Sequence, residues 1–235
     1  VFGAMAQALP GKVPAAWGGG EIGLSFAGYH PNRKAWVYLE FNNDGPRGGG
    51  PFQDGADGVA CPVLNMANSP IESIEADQPL LIERYGLVPD TSGAGKYRGG
   101  LGMVRDFRIL AEEATFQLRS DRTAFRPWGV EGGKDGTLTQ NFLNPGTDQE
   151  QVLPCKHLVT LKKGDVYRVI QAGGGGYGDP LERDPYAVLD DVEQEKQSVD
   201  FVRAEYGVVI DAKTRSLDLT ATEELRDQMR AAVAG

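Results

Sequence analysis

The sequence has little of what marks a membrane, nucleic-acid-binding or disulfide-rich protein. Its 235 residues include two cysteines and two histidines, and no run of 18 apolar residues could span a bilayer. With a formal net charge of -9, the chain lacks the basic surface that neutralises a row of phosphates. We therefore expect neither a nucleic-acid partner nor a membrane. So few cysteines are typical of a reducing compartment, which predicts a cytoplasmic protein.

Glycine, in contrast, is abundant. The 32 glycines are about twice the share expected from an average composition of roughly 7%. They concentrate in three stretches, 42–58, 91–102 and 172–178, which separate segments of β character. Loops this long in a compact domain usually carry function or form an interface.

From residue 21 to about 171 the apolar residues alternate with the period of a β-strand. In 36–41, Val37 and Leu39 share one face, opposite to Trp36, Tyr38 and Glu40. In 114–119, the residues predicted to face inward are Ala114, Phe116 and Leu118. Two further strands, 157–161 and 166–170, flank Lys162-Lys163-Gly164-Asp165, which is a hairpin pattern.

Beyond Asp179-Pro180 the pattern becomes helical. Asp184-Pro185 predicts a capped helix start, Gly207 a left-handed helix end, and the segment 220–223 a capping box that opens a last helix through Ala232. A short strand pair, 208–210 with 216–219, lies between them. The predicted fold is α+β, dominated by β structure, with long glycine-rich loops and a C-terminal helical tail. We divide it into a β-rich region at 1–180 and a helical segment at 181–235 packed on it.

The first ten residues have no basic region before an apolar run, so they do not read as a signal peptide. The spacing of Phe2, Met5, Ala6 and Leu9 predicts a helix that Pro10-Gly11 ends. A chain that starts inside a helix favours a piece of a longer polypeptide, in which the β-rich region continues upstream. A processed or trimmed terminus is the alternative.

Two glycine motifs resemble nucleotide-binding loops. Residues 173–178 satisfy GxGxxG, but Asp179-Pro180 stands where the phosphate-binding helix should begin. A close approach of two backbones is the alternative that we prefer. Residues 93–96 resemble a phosphate-binding loop, yet Tyr97 replaces the serine or threonine that holds magnesium. We expect no ATP site in either motif.

Two clusters contain charged candidates for a site. Glu40, Asp44, Asp54 and Asp57 place four carboxylates in a glycine-spaced stretch, suited to a hard cation or to acid–base chemistry, although solvated loop carboxylates are the default. Glu40 and Asp44 are the catalytic candidates. Arg122, Arg126 and Trp128 follow a predicted strand and are candidates for binding substrate or phosphate; the alternative is an Asp121–Arg122 pair that braces a turn.

The cysteines and histidines have no spacing typical of a zinc site. Cys155 and His157 would point to the same face of a strand, so a thiolate–imidazole pair is geometrically allowed. Two ordinary strand residues are the stronger interpretation. His30 has no companion with ligand spacing. We assign no metal in this portion.

Seven short motifs, in order, identify a family. They are Pro79–Tyr85 followed by Gly93–Gly100, Ser120-Asp121-Arg122, Arg126-Pro127-Trp128-Gly129, Gly164-Asp165, the run 173–180, Arg183-Asp184-Pro185, and Tyr206-Gly207-Val208-Val209. Together they resemble the C-terminal part of the hydantoinase B/oxoprolinase family, through nearly the whole chain. The family includes N-methylhydantoinase, 5-oxoprolinase, related lactamases and subunits of acetone and acetophenone carboxylases.

The resemblance implies a subunit of a cytoplasmic, ATP-dependent enzyme that opens a cyclic amide such as a hydantoin, 5-oxoproline or a lactam. It also implies two partners, the upstream part of the same B-type subunit and a hydantoinase-A type subunit. ATP and Mg²⁺ are expected on the A-type subunit, which phosphorylates the substrate before it is attacked. A divalent metal is expected, if anywhere, in the upstream portion of the B-type subunit.

One departure leaves the substrate open. Some family members carry a histidine pair just after the glycine-rich aspartate loop, where this chain has Ala60-Cys61-Pro62-Val63-Leu64-Asn65. Two alternatives to an amide hydrolase therefore remain. One is a subunit of an ATP-dependent ketone carboxylase, and the other is a non-catalytic scaffold whose glycine loops pack against a partner.

Overall fold

The computed structural model describes residues 1–19, 22–40, 45–59 and 67–234. Within these ranges, nine strands form two antiparallel sheets. Sheet 1 has the order β2-β1-β5-β8, with β1 at Gly23–Tyr29, β2 at Ala35–Glu40, β5 at Glu113–Arg119 and β8 at Lys156–Lys162. Sheet 2 has the order β3-β4-β9-β6-β7, with β3 at Leu80–Leu87, β4 at Met103–Ile109, β6 at Gln140–Leu143, β7 at Gln151–Val152 and β9 at Val166–Ile170.

The core between the two sheets is built on aromatic rings. Phe26 and Phe116 of sheet 1 stack with centroids 4.7 Å apart, and Phe116 lies 4.6 Å from Tyr167 of sheet 2. Phe107 of sheet 2 lies 5.4 Å from Phe26, and none of the four rings is exposed. Offset contacts at these distances add to the free energy of burial. The predicted inward face of 114–119 is confirmed, since Ala114, Phe116 and Leu118 are buried.

The hairpin predicted around 162–165 is wrong. β8 pairs with β5 in sheet 1, whereas β9 lies between β4 and β6 in sheet 2, so the turn carries the chain from one sheet to the other. Gly164, with φ of 94°, donates its amide to Ile109 O, and Lys163 donates to Glu112 O. The turn thus packs against the β4–β5 connection, which also crosses between the sheets.

The glycine-rich stretches are largely buried segments that pack side by side. The segment 173–176 is the centre of this arrangement, which we call the glycine bundle, and its successive residues bond to different neighbours. The amides of Gly174, Gly175 and Gly176 donate to the carbonyls of Gly100, Ala16 and Lys134, and their carbonyls accept from the amides of Gly93, Gly49 and Val130. Six hydrogen bonds from three residues therefore reach six surrounding positions.

This packing requires glycine because the backbones touch. A Cβ on Gly174 would lie 2.2 Å from Arg47 O, one on Gly175 2.2 Å from Trp128 O, and one on Gly176 2.0 Å from Ala94 O. No side chain fits at such distances. The interpretation of 173–178 as a close approach of backbones is confirmed.

Helices occupy both ends of the described chain. Helix α1 spans Phe2–Ala8, as predicted, and α2 at Ile71–Asp77 was not predicted. A 3₁₀ turn at Pro180–Glu182 leads to α3 at Pro185–Glu193, α4 at Val199–Tyr206, the strand pair β10 at Val209–Ile210 with β11 at Leu217–Asp218, and α5 at Leu219–Ala234. In the ranges described, none of the helices combines the length and apolarity needed to cross a bilayer.

The helix ends follow the predicted chemistry with one exception. The Asp184 side chain accepts from Tyr186 N at the start of α3, and Gly207 ends α4 with φ of 61°. Helix α5 begins earlier than the predicted capping box, because Asp218 accepts the amide of Ala221. Thr222 instead bonds to β10, accepting from Val209 N. The α+β fold with a C-terminal helix is confirmed.

Candidate functional site

Glu40 lies between the sheets in a cluster with Tyr38, Tyr85 and Arg105, which we call the Glu40 cluster. Arg105 Nη1 donates to Glu40 Oε2 at 3.0 Å, and the Tyr38 hydroxyl donates a hydrogen bond to the same oxygen. The Arg105 guanidinium also lies 4.2 Å from the centre of the Tyr85 ring. Glu40 and Arg105 are both buried, so each charge depends on the other for compensation.

The surroundings of the Glu40 cluster keep Tyr38 protonated. Burial raises the pKa of Tyr38 above its ordinary value, and the hydrogen bond to the Glu40 carboxylate and its charge raise it further. Tyr38 is therefore a hydrogen-bond donor at neutral pH. The arrangement can fix the Glu40 carboxylate firmly, but the carboxylate reaches no solvent from where it lies.

Asp54 and Asp57 bind arginines instead of joining Glu40. With Arg98, Arg183 and Asp191 they form the arginine–aspartate network. Arg183 binds Asp54 through two hydrogen bonds of 2.6 and 2.8 Å, and Arg98 binds Asp57 through two of 3.0 and 3.3 Å. Asp191 joins the two arginines, accepting from Arg98 Nε at 2.9 Å and from Arg183 Nη2 at 2.8 Å.

The charges of the network hold these arginines fully ionised. Burial by itself lowers the pKa of Arg183, but the hydrogen bond and charge of Asp54 and the charge of Asp191 raise it more, so the net shift is upward. The carboxylates of Asp54 and Asp57 are thus already paired with guanidiniums, although the Asp54 side chain is still 35% exposed. Over the ranges that the structure describes, no group of three Asp, Glu, His or Cys residues is placed to hold a metal. Asp44 and Cys61 lie outside those ranges.

The three candidates at 122–128 have different surroundings. Arg122 has a left-handed backbone, with φ of 57°, and its side chain packs on Gly19, where a Cβ would lie 2.4 Å from Arg122 Cγ. Trp128 is half-buried beside Gly3, and its carbonyl accepts from Ala16 N. Arg126 is exposed, and none of the described residues hydrogen-bonds or ion-pairs with its side chain. Of these candidates, Arg126 offers the accessible guanidinium.

Cys155 and His157 form no pair among the contacts of the described residues. Cys155 precedes β8, and its carbonyl accepts from Ser120 N. His157 lies within β8 opposite Leu118. The structure therefore favours the interpretation of two ordinary residues at the start of a strand.

Neither glycine motif fits a nucleotide. The amides of Gly174, Gly175 and Gly176 all donate to main-chain carbonyls, so they are not available to phosphate oxygens. Gly93 donates to Gly174 O, and the Lys96 ammonium pairs with Glu182 at 3.1 Å. ATP or a dinucleotide therefore has no binding loop in these two segments.

The arginines that neutralise the acidic candidates were not predicted from the sequence. Arg105 lies in the strand Met103–Ile109 together with Asp106 and Arg108, so its charge alone did not mark it as a partner of Glu40. Arg98 and Arg183 lie within motifs that characterise the family, but nothing in their spacing indicates that both bind Asp191. Such partners come from distant positions in the chain, and Arg98 and Asp191 are 93 positions apart.

The chain matches a family profile and several known proteins over most of its length. The sequence profile of the hydantoinase B/oxoprolinase family matches residues 1–180. The chain belongs to the hydantoinase B/oxoprolinase family. It is 35% identical over 228 residues to the B-type subunit of a putative D-/L-hydantoinase from a Pseudomonas species, covering 95% of this chain and 37% of that protein. It is 33% identical over 232 residues to the beta subunit of the caprolactamase of Pseudomonas jessenii, covering 95% and 40%.

Solved structures agree with this assignment. The crystal structure of the ATP-dependent caprolactamase from Pseudomonas jessenii superposes with a TM-score of 0.81 at 31% identity, over 95% of this chain and 40% of that one. A nucleotide-free acetone carboxylase gives a TM-score of 0.78 at 21% identity, over 94% and 34%, which shows a shared fold. The chain thus spans about two fifths of the length of the hydantoinase and caprolactamase relatives, and the resemblance inferred from its motifs is confirmed.

Proposed function

We propose that this chain is the C-terminal part of the B-type subunit of an ATP-dependent enzyme that hydrolyses a cyclic amide. The observation that carries the proposal is the superposition on the ATP-dependent caprolactamase over 95% of the chain. The hydantoinase and 5-oxoprolinase relatives are named for substrates that share the ring amide with a lactam. The cyclic amide is accordingly the substrate class, and the enzyme would act in the cytoplasm.

ATP and Mg²⁺ would be held elsewhere in the complex, on a hydantoinase-A type subunit. The amides of Gly174, Gly175 and Gly176 already donate to main-chain carbonyls, which supports that division. ATP would supply the phosphoryl group that makes a poorly electrophilic amide reactive towards water. The exposed Arg126 is the group of this chain best suited to an anionic oxygen, because a guanidinium presents a fork of donors to carboxylate or phosphate.

A second candidate is a non-catalytic scaffold within the same complex. It is favoured by the pairing of Glu40, Asp54 and Asp57 with arginines, since a carboxylate that is already held by a guanidinium is poorly placed for acid–base chemistry. Under this alternative the glycine bundle and the two packed sheets maintain the structure of the B-type subunit, while the upstream part carries out the reaction.

The experiment is native mass spectrometry of the protein purified gently from its source, followed by turnover assays on the same material. A complex with an ATP-binding subunit and MgATP-dependent opening of hydantoin, 5-oxoproline or caprolactam would support the hydrolase. ADP formation that requires acetone and bicarbonate, and none with cyclic amides, would instead select a ketone carboxylase. A stable lone species of 25.3 kDa without activity would overturn the proposal.

A further inference from the structure

The outer face of sheet 1 exposes apolar residues along β2. Val37 and Leu39 are 62% and 53% exposed, whereas Trp36, Tyr38 and Glu40 of the same strand are buried against the core. The neighbouring strand β1 places the small residues Ala27 and Ser25 opposite Val37 and Leu39. The small side chains of β1 therefore leave a depression beside the apolar side chains of β2. An open groove of about 880 Å³ follows this depression, and its lining includes Ala27, Val37, Thr115 and Thr160.

β2 is also an edge strand of sheet 1. In the part of the chain that the structure describes, β1 alone pairs with β2, so the backbone groups on the other side of residues 35–39 have no strand partner. Natural edge strands are usually protected by lysine, proline, a bulge, very short length or an inward-pointing charge. The strand Ala35–Glu40 has six residues, no proline or lysine, and a regular register with β1. Its one inward charge, Glu40, binds Arg105 at the very end of the strand, so residues 35–39 carry none of these devices.

We propose that an extended segment from the rest of a B-type subunit pairs with the outer edge of β2 and covers Val37 and Leu39. The inference rests on the proposed function. The chain accounts for 37 to 40% of the two B-type relatives, so roughly 60% of such a subunit lies outside it and needs a surface to pack on. Main-chain hydrogen bonds to an edge supply affinity, and alternate side chains supply specificity.

Charge argues against a second copy as the occupant. The chain has a formal net charge of -9, and self-association would bring two such charges together. The patch formed by Val37, Leu39, Ala27 and Ser25 is uncharged, and the groove beside it is also lined by Glu112, Glu113 and Lys162, so the face has no basic surface that would attract a nucleic acid. An uncharged, extended polypeptide segment with apolar side chains fits both the edge and the face.

Hydrogen exchange gives the first measurement. The amides of 35–39 are compared between the native assembly purified from the source and the chain produced alone, with the edge strand Gln151–Val152 of sheet 2 as the internal reference. We expect exchange at 35–39 to slow at least about tenfold in the assembly, since pairing buries the outer amides. Equal exchange in both samples, with a native mass showing that the larger assembly is intact, would overturn the proposal while leaving the proposed function standing.

Surface variants give the second measurement. A tagged chain with both Val37→Lys and Leu39→Lys is expressed in the source organism beside Val152→Lys, which alters a 74% exposed valine on the other sheet. The captured polypeptide is identified by its peptides as the upstream part of a B-type subunit. We expect the double variant to recover at least about tenfold less of it than wild type, and Val152→Lys to recover the wild-type amount. Equal recovery by all three, or a native mass that shows a dimer of this chain, contradicts the proposal.

Discussion

Arg183 and Asp54 form a two-point ion pair across 129 positions of the sequence, with oxygen–nitrogen distances of 2.6 and 2.8 Å. Arg183 immediately precedes Asp184, the N-cap of α3. Asp54 is followed by Gly55, whose amide donates a hydrogen bond to Arg98 O. The pair thus ties the C-terminal helices to the segments around the glycine bundle. Asp191 strengthens the tie because its carboxylate binds Arg183 and Arg98 together.

Replacing Asp191 by asparagine should strongly destabilise the fold. Two buried guanidiniums would share less negative charge, and breaking a buried ion pair costs about 3–5 kcal/mol. Urea unfolding followed by circular dichroism measures the loss. The control is Asp190→Asn, since Asp190 is exposed and its carboxylate bonds to Gln194 one turn away. Equal unfolding midpoints for the two variants would contradict the assigned role of Asp191.

A single methyl group in the glycine bundle should prevent normal packing. In Gly175→Ala the new Cβ would meet Trp128 O at 2.2 Å, so a neighbouring backbone segment has to move. We expect a loss of at least about 3 kcal/mol in the free energy of unfolding. Gly86→Ala is the matched control, because nothing lies within 4 Å of its Cβ position, and it should change stability by less than about 1 kcal/mol. Chemical denaturation of both variants tests the pair.

Local patterns in the sequence predicted much of the fold. The alternation in 114–119 identified the inward face of β5, and the caps at Asp184 and Gly207 placed the ends of two helices. These features depend on neighbours within a few positions. The GxGxxG run could also be distinguished from a nucleotide-binding loop, because Asp179-Pro180 stands where the phosphate-binding helix would begin.

Long-range relationships were not predictable in the same way. The segment 162–165 has the residues of a hairpin turn, but whether its two strands share a sheet depends on β4 and β5, about 50 positions earlier. The alternation in 36–41 separated two faces without showing that the aromatic, acidic face is the buried one. Likewise, the acidic candidates at 40–57 gave no sign of their arginine partners, which come from distant parts of the chain.

Glu40 can be tested as a structural or a catalytic residue. Glu40→Gln should lower stability by about 3–5 kcal/mol, because it leaves the buried Arg105 charge without its carboxylate. Adding Arg105→Met removes that charge and should restore most of the loss, which a double-mutant cycle measures as coupling. If Glu40 serves catalysis, turnover per folded complex would stay low in the double variant although stability returns.

Tyr206 should make stability fall at high pH. Burial raises the pKa of Tyr206 to about 12, although the hydrogen bond from Gln197 and the nearby Arg183 lower it. Below about pH 10 tyrosine is protonated in both states; between about 10 and 12 it ionises only in the unfolded chain, which lowers stability by about 1.4 kcal/mol per pH unit. Tyr206→Phe should make the urea midpoint fall less steeply in that window without abolishing the fall, because the pKa values of Tyr38 and Tyr167 are raised as well. Tyr29→Phe, at a residue that is 72% exposed, should leave the wild-type slope.

Arg126 separates the catalytic interpretation of this chain from the scaffold interpretation. Its guanidinium is exposed and unpaired within the described residues. Arg126→Ala should therefore leave the free energy of unfolding within about 0.5 kcal/mol of wild type. If it binds an anionic oxygen at the site, amide hydrolysis coupled to ATP use should fall at least about tenfold in the assembled complex, and Arg126→Lys should recover part of it. Arg203→Ala, an exposed arginine on α4, is the control and should keep full activity. Unchanged turnover in Arg126→Ala, in a complex of native mass, would remove Arg126 from the site and favour the scaffold.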